Sequence, residues 1–182
     1  MSGLLPDEAI DVPEELYHDF FMRSKKGVWM LGRGPSGFRD KFFGLFWLDG
    51  RPCFLKYTQG AGMAQFVKQD NEAMLDGRLE GFVPRIIESR VDDHRAYYLT
   101  EFMCGSRPVE HVLDERVMGI LIRMGGLDLA YDDRLGAYRS MAHGDFCPWN
   151  IHAYEGRLVA VDWEFKDMKP LGHDLFTFLI QS

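Results

Sequence analysis

An α+β fold is what this sequence predicts: a lobe of strands, then a helical lobe, with a ligand site in the cleft between them. Three observations carry that expectation. Short runs rich in aromatic and branched residues come early (VWMLGRG, FRDKFFGLFWLDG, RPCFLKYT), a helical period takes over from Met63, and after Gly105 the texture is helical again (VEHVLDERVMGILIRM).

PEELYHDFFMR, from Pro13, has proline at a helix start and apolar residues at helical spacing, which predicts a short leading helix. The three aromatic runs read as an antiparallel meander, because Asp49-Gly50 between the second and third is a strong hairpin-turn signal. From Met63 to about Leu79, Met63, Phe66, Val67, Met74 and Leu75 cluster on one face of a helix. Pro84 opens PRIIESR, and the Asp92-Asp93 turn leads into HRAYYLTEFM, so the N-terminal part reads as five strands with one inserted helix. A Gly- and Asp-rich stretch up to Tyr138 shows no readable period. HGDFCPWN, residues 143–150, reads as a loop, IHAYEGRLVAVDW as a hairpin turning at Glu155-Gly156, and GHDLFTFLI as a short helix.

Composition narrows the function classes. An apolar fraction of 46% supports a real core, and a formal net charge of -7 argues against a broad nucleic-acid footprint or an anionic membrane surface. Cys53, Cys104 and Cys147 are odd in number and lack Cys-x-x-Cys spacing, which argues against a disulfide framework or structural zinc and fits a reducing cytoplasm. The acidic N-terminus lacks the pattern of a signal peptide, and no apolar run approaches the roughly 18 residues of a membrane span.

Four features carry chemistry. Gly32, Gly34 and Gly37 match G-x-G-x-x-G, but they lead into a second strand rather than a helix. That excludes a dinucleotide fingerprint and favours a glycine loop over nucleotide phosphates. Lys56 stands near the end of an apolar strand, where a buried ammonium needs anionic partners such as phosphate and a helix carboxylate. Two residues compete to be that carboxylate: helical phase favours Asp70, whereas the phrase NEAML and a longer reach favour Glu72, which is the expectation adopted. Finally, phosphoryl transfer to a hydroxyl needs a carboxylate to orient the hydroxyl and take its proton, and hard oxygen ligands for magnesium. HGDFCPWN supplies Asp145 for the first task and Asn150 for the second, and Asp162, at the end of the apolar strand in VAVDWE, supplies another ligand.

HGDFCPWNI, then LVAVDWE, then LGHDLF resembles the catalytic segment of the aminoglycoside and choline phosphotransferase family. The resemblance implies a protein-kinase-like two-lobe fold, with residues 1–104 as an antiparallel five-stranded nucleotide-binding lobe with one helix and residues 105–182 as a reduced helical catalytic lobe. It implies an ATP- and Mg2+-dependent enzyme with a small-molecule hydroxyl as acceptor. Asp145 would be the catalytic base, Lys56 the phosphate-binding lysine, and Asn150 and Asp162 the metal ligands, with Glu164 assisting. The backbone from Glu101 to Met103 would be the hinge for adenine, while His143 and Asp174 would brace the loop. The Pro148-Trp149 pair resembles variants of surface-carbohydrate pathways and points to a sugar acceptor. The helical part is short for the family, so the apolar run LFTFLI is expected either to contact a second copy or to bury itself in the chain's own core. A catalytically idle nucleotide-binding scaffold is the alternative reading.

Overall fold

The computed structural model describes residues 14–16, 18, 20, 22, 23, 28–33, 41–92 and 95–182. A short helix α1 (Glu14–Leu16) precedes strands β1 (Val28–Arg33), β2 (Lys41–Leu48) and β3 (Arg51–Gln59). Helix α2 (Ala61–Leu75) follows, then β4 (Ile86–Val91) and β5 (Arg95–Glu101). These strands form one antiparallel sheet in the order β1-β2-β3-β5-β4. The β2–β3 turn is made by Asp49 and Gly50, both with positive φ (49° and 81°), the backbone a two-residue hairpin demands.

β3 is covered on both faces. Leu55 and Tyr57 pack with Phe42, Phe46, Tyr97 and Leu99 against Leu16 and Phe20 of the leading segment. On the opposite face α2 sets Ala64 and Val67 against Ala96 and Tyr98. Lys56, between Leu55 and Tyr57, points to the α2 side, where its carboxylate partner stands. Hence Leu55, Lys56, Tyr57 and Thr58 are all buried, and the usual alternation of a half-buried strand is absent.

The second half contains β6 (Arg107–Pro108), α3 (Glu115–Gly125), β7 (Ala130–Asp132), β8 (Ala137–Ala142), β9 (Ile151–Tyr154), β10 (Arg157–Ala160), β11 (Asp167–Pro170) and α4 (His173–Gln181). Its core joins Val117, Ile120 and Met124 of α3 to Phe146, Ile151, Leu158, Ala160, Trp163 and Phe178. Helical texture starts later than the sequence predicts. Residues 107–109 bond to the strand at 151–153 instead, Val109 N–H reaching Ile151 O at 2.8 Å, and α3 begins only at the Asp114 cap, which accepts from Arg116 N and Val117 N. The unreadable stretch up to Tyr138 forms the β7–β8 hairpin, and β11 pairs with the other edge of β8. Within LFTFLI, Phe178 is buried in the chain's own core, whereas Phe176, Leu179 and Ile180 are exposed. Among the described residues no helix is long and apolar enough to cross a membrane.

Candidate active site

Lys56, Asp70, Asp162 and Glu164 converge beside β3 and the turn after β10. Lys56 is only 2% exposed, and its Nζ meets Asp70 Oδ2 at 2.5 Å, Asp162 Oδ1 at 2.7 Å and Glu164 Oε1 at 2.5 Å. Burial alone would lower the pKa of this ammonium. Tyr98, Asp70, Asp162 and Glu164 outweigh burial and hold it well above the ordinary lysine value. Asp162 is drawn below the usual carboxylate range, since Lys56 and Lys41 overcome the penalty of its burial. Asp70 is pushed up to about 6 by burial, against the pull of Lys56 and with Asp162 and Glu164 competing for the same cation.

The carboxylate facing Lys56 is therefore Asp70, and the expectation of Glu72 is corrected. Asp70 shares its helix face with Val67 and Met74 and is 1% exposed. Glu72 lies on the far side, its side chain 51% exposed, at 3.9 Å from Lys68. Asp70 also accepts from Tyr98 Oη at 3.3 Å.

The loop after β8 is held from behind. Asp174, in the first turn of α4, accepts from His143 N at 2.7 Å and Gly144 N at 3.0 Å. Gly144 has φ +88°, and a Cβ there would fall 2.1 Å from Phe165 O, so only glycine fits between the two segments. His143 is fully buried, with Nε2 2.9 Å from Val161 O and Nδ1 facing Asp145 N at 3.3 Å. That pairing makes it the neutral Nε2–H tautomer, and burial depresses its pKa despite nearby Asp174. Asp145 and Asn150 are joined directly: Asn150 Nδ2 donates to Asp145 O and Oδ2, each at 3.0 Å, which leaves Oδ1 as its remaining polar atom. Cys147 is buried, donates its thiol to Asp145 Oδ1 at 2.9 Å, and has a pKa pushed up to about 12 by burial and that carboxylate. It is accordingly no exposed redox site.

Asp162 leaves β10 at φ +66°, a left-handed backbone that aspartate tolerates better than most residues. The turn is fixed by Val161 N–H to Asn150 O at 2.9 Å and Trp163 Nε1–H to Ala160 O at 2.9 Å. So Asp162 and Asn150 are tied to one another through the backbone.

Two cavities flank this cluster. The first, about 540 Å³, is lined by Lys41, Lys56, Asn150, Asp162, Glu164 and aromatic residues including Phe43 and Phe165. The second, about 230 Å³, is lined by Phe54, Met74, Pro84, Glu101, Met103 and Trp163 among others, a mostly apolar slot against the strand end expected to act as a hinge. The Glu101 carboxylate is already taken by Arg157 at 2.9 Å, and its backbone N–H donates to Arg85 O at 3.1 Å. Gly32 lies in β1 opposite Phe43, while Gly34 and Gly37 lie outside the described residues. One residue escaped the sequence reading altogether: Lys41, buried at the start of β2 with Nζ 2.5 Å from Glu164 Oε2.

No family model matches the sequence, and no curated protein matches it either. Solved structures do match. A thermostable mutant of the aminoglycoside phosphotransferase APH(4)-Ia in its apo form is 12% identical with a TM-score of 0.54, over 86% of this chain and 74% of that one. A ternary complex of such a mutant with ADP and hygromycin B is 12% identical with a TM-score of 0.53, over 89% of this chain and 74% of that one. What such distant likenesses establish is architecture: this chain has the kinase-like fold of an aminoglycoside phosphotransferase.

Proposed function

We propose that the protein is an ATP- and magnesium-dependent phosphotransferase that phosphorylates a hydroxyl of a small molecule, a sugar or carbohydrate-containing metabolite. The observation that carries this reading is the convergence of Lys56, Asn150, Asp162 and Glu164 on one cavity, beside a mostly apolar slot sized for a planar base. A fold neighbour in complex with ADP supports nucleotide use.

The residues fit magnesium. Carboxylate oxygens of Asp70, Asp162 and Glu164 lie within 4.8 Å of one another, and Asp70 Oδ1 is buried without a hydrogen-bond partner among the described residues. Oxygen-only donors with surplus negative charge suit a hard divalent ion. Asp162 and Asn150 Oδ1 would hold it, with Glu164 in support; when bound, magnesium neutralises charge on the phosphate oxygens. Lys56 binds the phosphate chain while Asp70 keeps it charged and aimed. Asp145, half-buried and fixed by Cys147 and Asn150, accepts the proton of the acceptor hydroxyl. That oxygen bonds to the terminal phosphorus as the bond to the ADP oxygen breaks. Trp149, 47% exposed on the same loop, offers an aromatic face of the kind that packs against a sugar ring.

The test is ADP release from purified protein with ATP and magnesium against a panel of sugars, amino alcohols and aminoglycosides. Release stimulated by sugars supports the proposal. Tight nucleotide binding with no stimulation by any acceptor would transfer support to an idle nucleotide-binding scaffold.

A further inference from the structure

Lys56 is a cation over-supplied with anions. Its single charge faces three carboxylates at 2.5 to 2.7 Å, so a triphosphate approaching it alone would enter a negative field. A second cation stands in the same cavity. Lys41 is 4% exposed, lines the wall beside Lys56, Asn150 and Asp162, and takes one oxygen of Glu164 while Lys56 takes the other. Among the described residues, two ammonium groups stand there against three carboxylates, an excess of one negative charge that a magnesium ion would reverse.

Helix α2 acts as a ruler for where each cation falls. Met74 lines the apolar slot, Asp70 one turn earlier pairs with Lys56, and the Phe66 ring one turn earlier again lies 5.1 Å below Lys41 Nζ. At about 1.5 Å per residue, the eight residues from Met74 to Phe66 place Lys41 roughly 12 Å along the helix from the base end, with Lys56 between. Lys41 is not among the residues that line the apolar slot. We propose that Lys41 is a second phosphate-binding residue that contacts the terminal phosphate of the nucleotide, held in place by Glu164 until the triphosphate arrives. The inference rests on the phosphotransferase reading and deepens it: Lys56 takes the inner phosphates and Lys41 sets the preference for a triphosphate over a diphosphate.

Calorimetric titration of the full chain with magnesium-ATP, magnesium-ADP and adenosine tests this in wild type, Lys41→Gln and Lys41→Arg. Loss of a charge-assisted contact should weaken ATP about 10- to 100-fold in Lys41→Gln, leaving ADP and adenosine within about threefold, while Lys41→Arg stays close to wild type. If Lys41→Gln does not fold with Glu164 left facing it, the double variant Lys41→Gln, Glu164→Gln keeps an amide pair in place of the ion pair, and the same ATP-to-ADP ratio is read. An unchanged ratio, or equal losses for ATP, ADP and adenosine, overturns the role of Lys41 while leaving the phosphotransferase reading intact. A wild type that binds neither ATP nor ADP overturns both.

Discussion

The loop at 143–150 and the ion cluster around Lys56 are held together in two different ways. Behind it, Asp174 accepts from the backbone of His143 and Gly144, and His143 is fixed to Val161 O, so buried donors there meet acceptors within the chain. In front, Lys41, Lys56, Asp70, Asp162 and Glu164 hold one another by charge, with one ammonium shared among three carboxylates. The rear contacts have nothing to exchange with a ligand. The front contacts can be re-partnered, because a phosphate can take the place of a carboxylate on lysine and a divalent ion the place of lysine on a carboxylate. Ligand response should therefore be concentrated in front of the loop, and substitutions on either side separate the two regions.

The largest effect belongs to the residue between the two regions. Asp145→Ala should lower kcat about 100- to 10,000-fold, the usual worth of a positioned general base, while nucleotide affinity stays near wild type. Single-turnover assays beside nucleotide titration would check it, and full turnover in the variant removes Asp145 from its proposed role.

Next come the two supports. Lys56→Met leaves Asp70 and Asp162 without their ammonium and should cost about 3–5 kcal/mol of stability, as breaking a buried pair does, with part of the loss restored by magnesium. Asp174→Ala strands the His143 and Gly144 N–H groups and should cost about 2–5 kcal/mol, with no magnesium response. Urea unfolding with and without magnesium reads both. Should the two variants respond alike to the ion, the division between front and rear is wrong.

Acidification acts on rear and front in opposite senses. Burial depresses the pKa of His143 in the fold, so below about pH 6.5 the unfolded chain binds a proton that the folded chain resists. The stability contributed by neutral His143 is present above that value and lost as pH falls through the lower, folded one. Asp70 runs in the opposite sense: its raised value favours the fold below the ordinary carboxylate range, and that contribution is lost as pH rises through about 6. His143→Asn should remove only the first component, so between about pH 8 and about pH 5 its urea midpoint should fall less, or rise more, than that of wild type. Parallel pH profiles would mean that His143 is not the group responsible.

The same division explains what could be read from sequence. The loop was legible because its parts are local: glycine beside His143, Asp145 five residues before Asn150, and Asp162 closing an apolar strand. The hairpin tips at Asp49-Gly50 and Glu155-Gly156 were legible because the second residue of each takes a positive φ that glycine adopts without strain. The front cluster was only half legible, since its members are brought together from β2, β3, α2 and the turn after β10. Lys41 follows Arg39-Asp40 and reads as the polar end of a turn, yet both Lys41 and Phe42 are buried, so the strand gives no alternation to mark it. β7 and β11 are short and polar, and their existence depends on register with β8 rather than on any pattern of their own.

The choice between Asp70 and Glu72 sets a local phrase against helical phase, and phase prevails because burial belongs to a face of the helix rather than to a word in the sequence. Glu72 gains little from its position: both of its ion pairs, to Lys68 and Lys166, measure 3.9 Å, and its side chain is half in water. Glu72→Gln should thus shift stability by less than about 0.5 kcal/mol and leave nucleotide affinity unchanged. Asp70→Asn, two residues away, removes the charge that aims Lys56 and should weaken nucleotide binding. Titrating both variants with magnesium-ATP sharpens the comparison to two neighbouring positions of one helix. Were Glu72→Gln to weaken binding while Asp70→Asn left it intact, the ion cluster would not be the nucleotide's anchor, and the ligand-responsive front of the loop would have to be sought on the other face of α2.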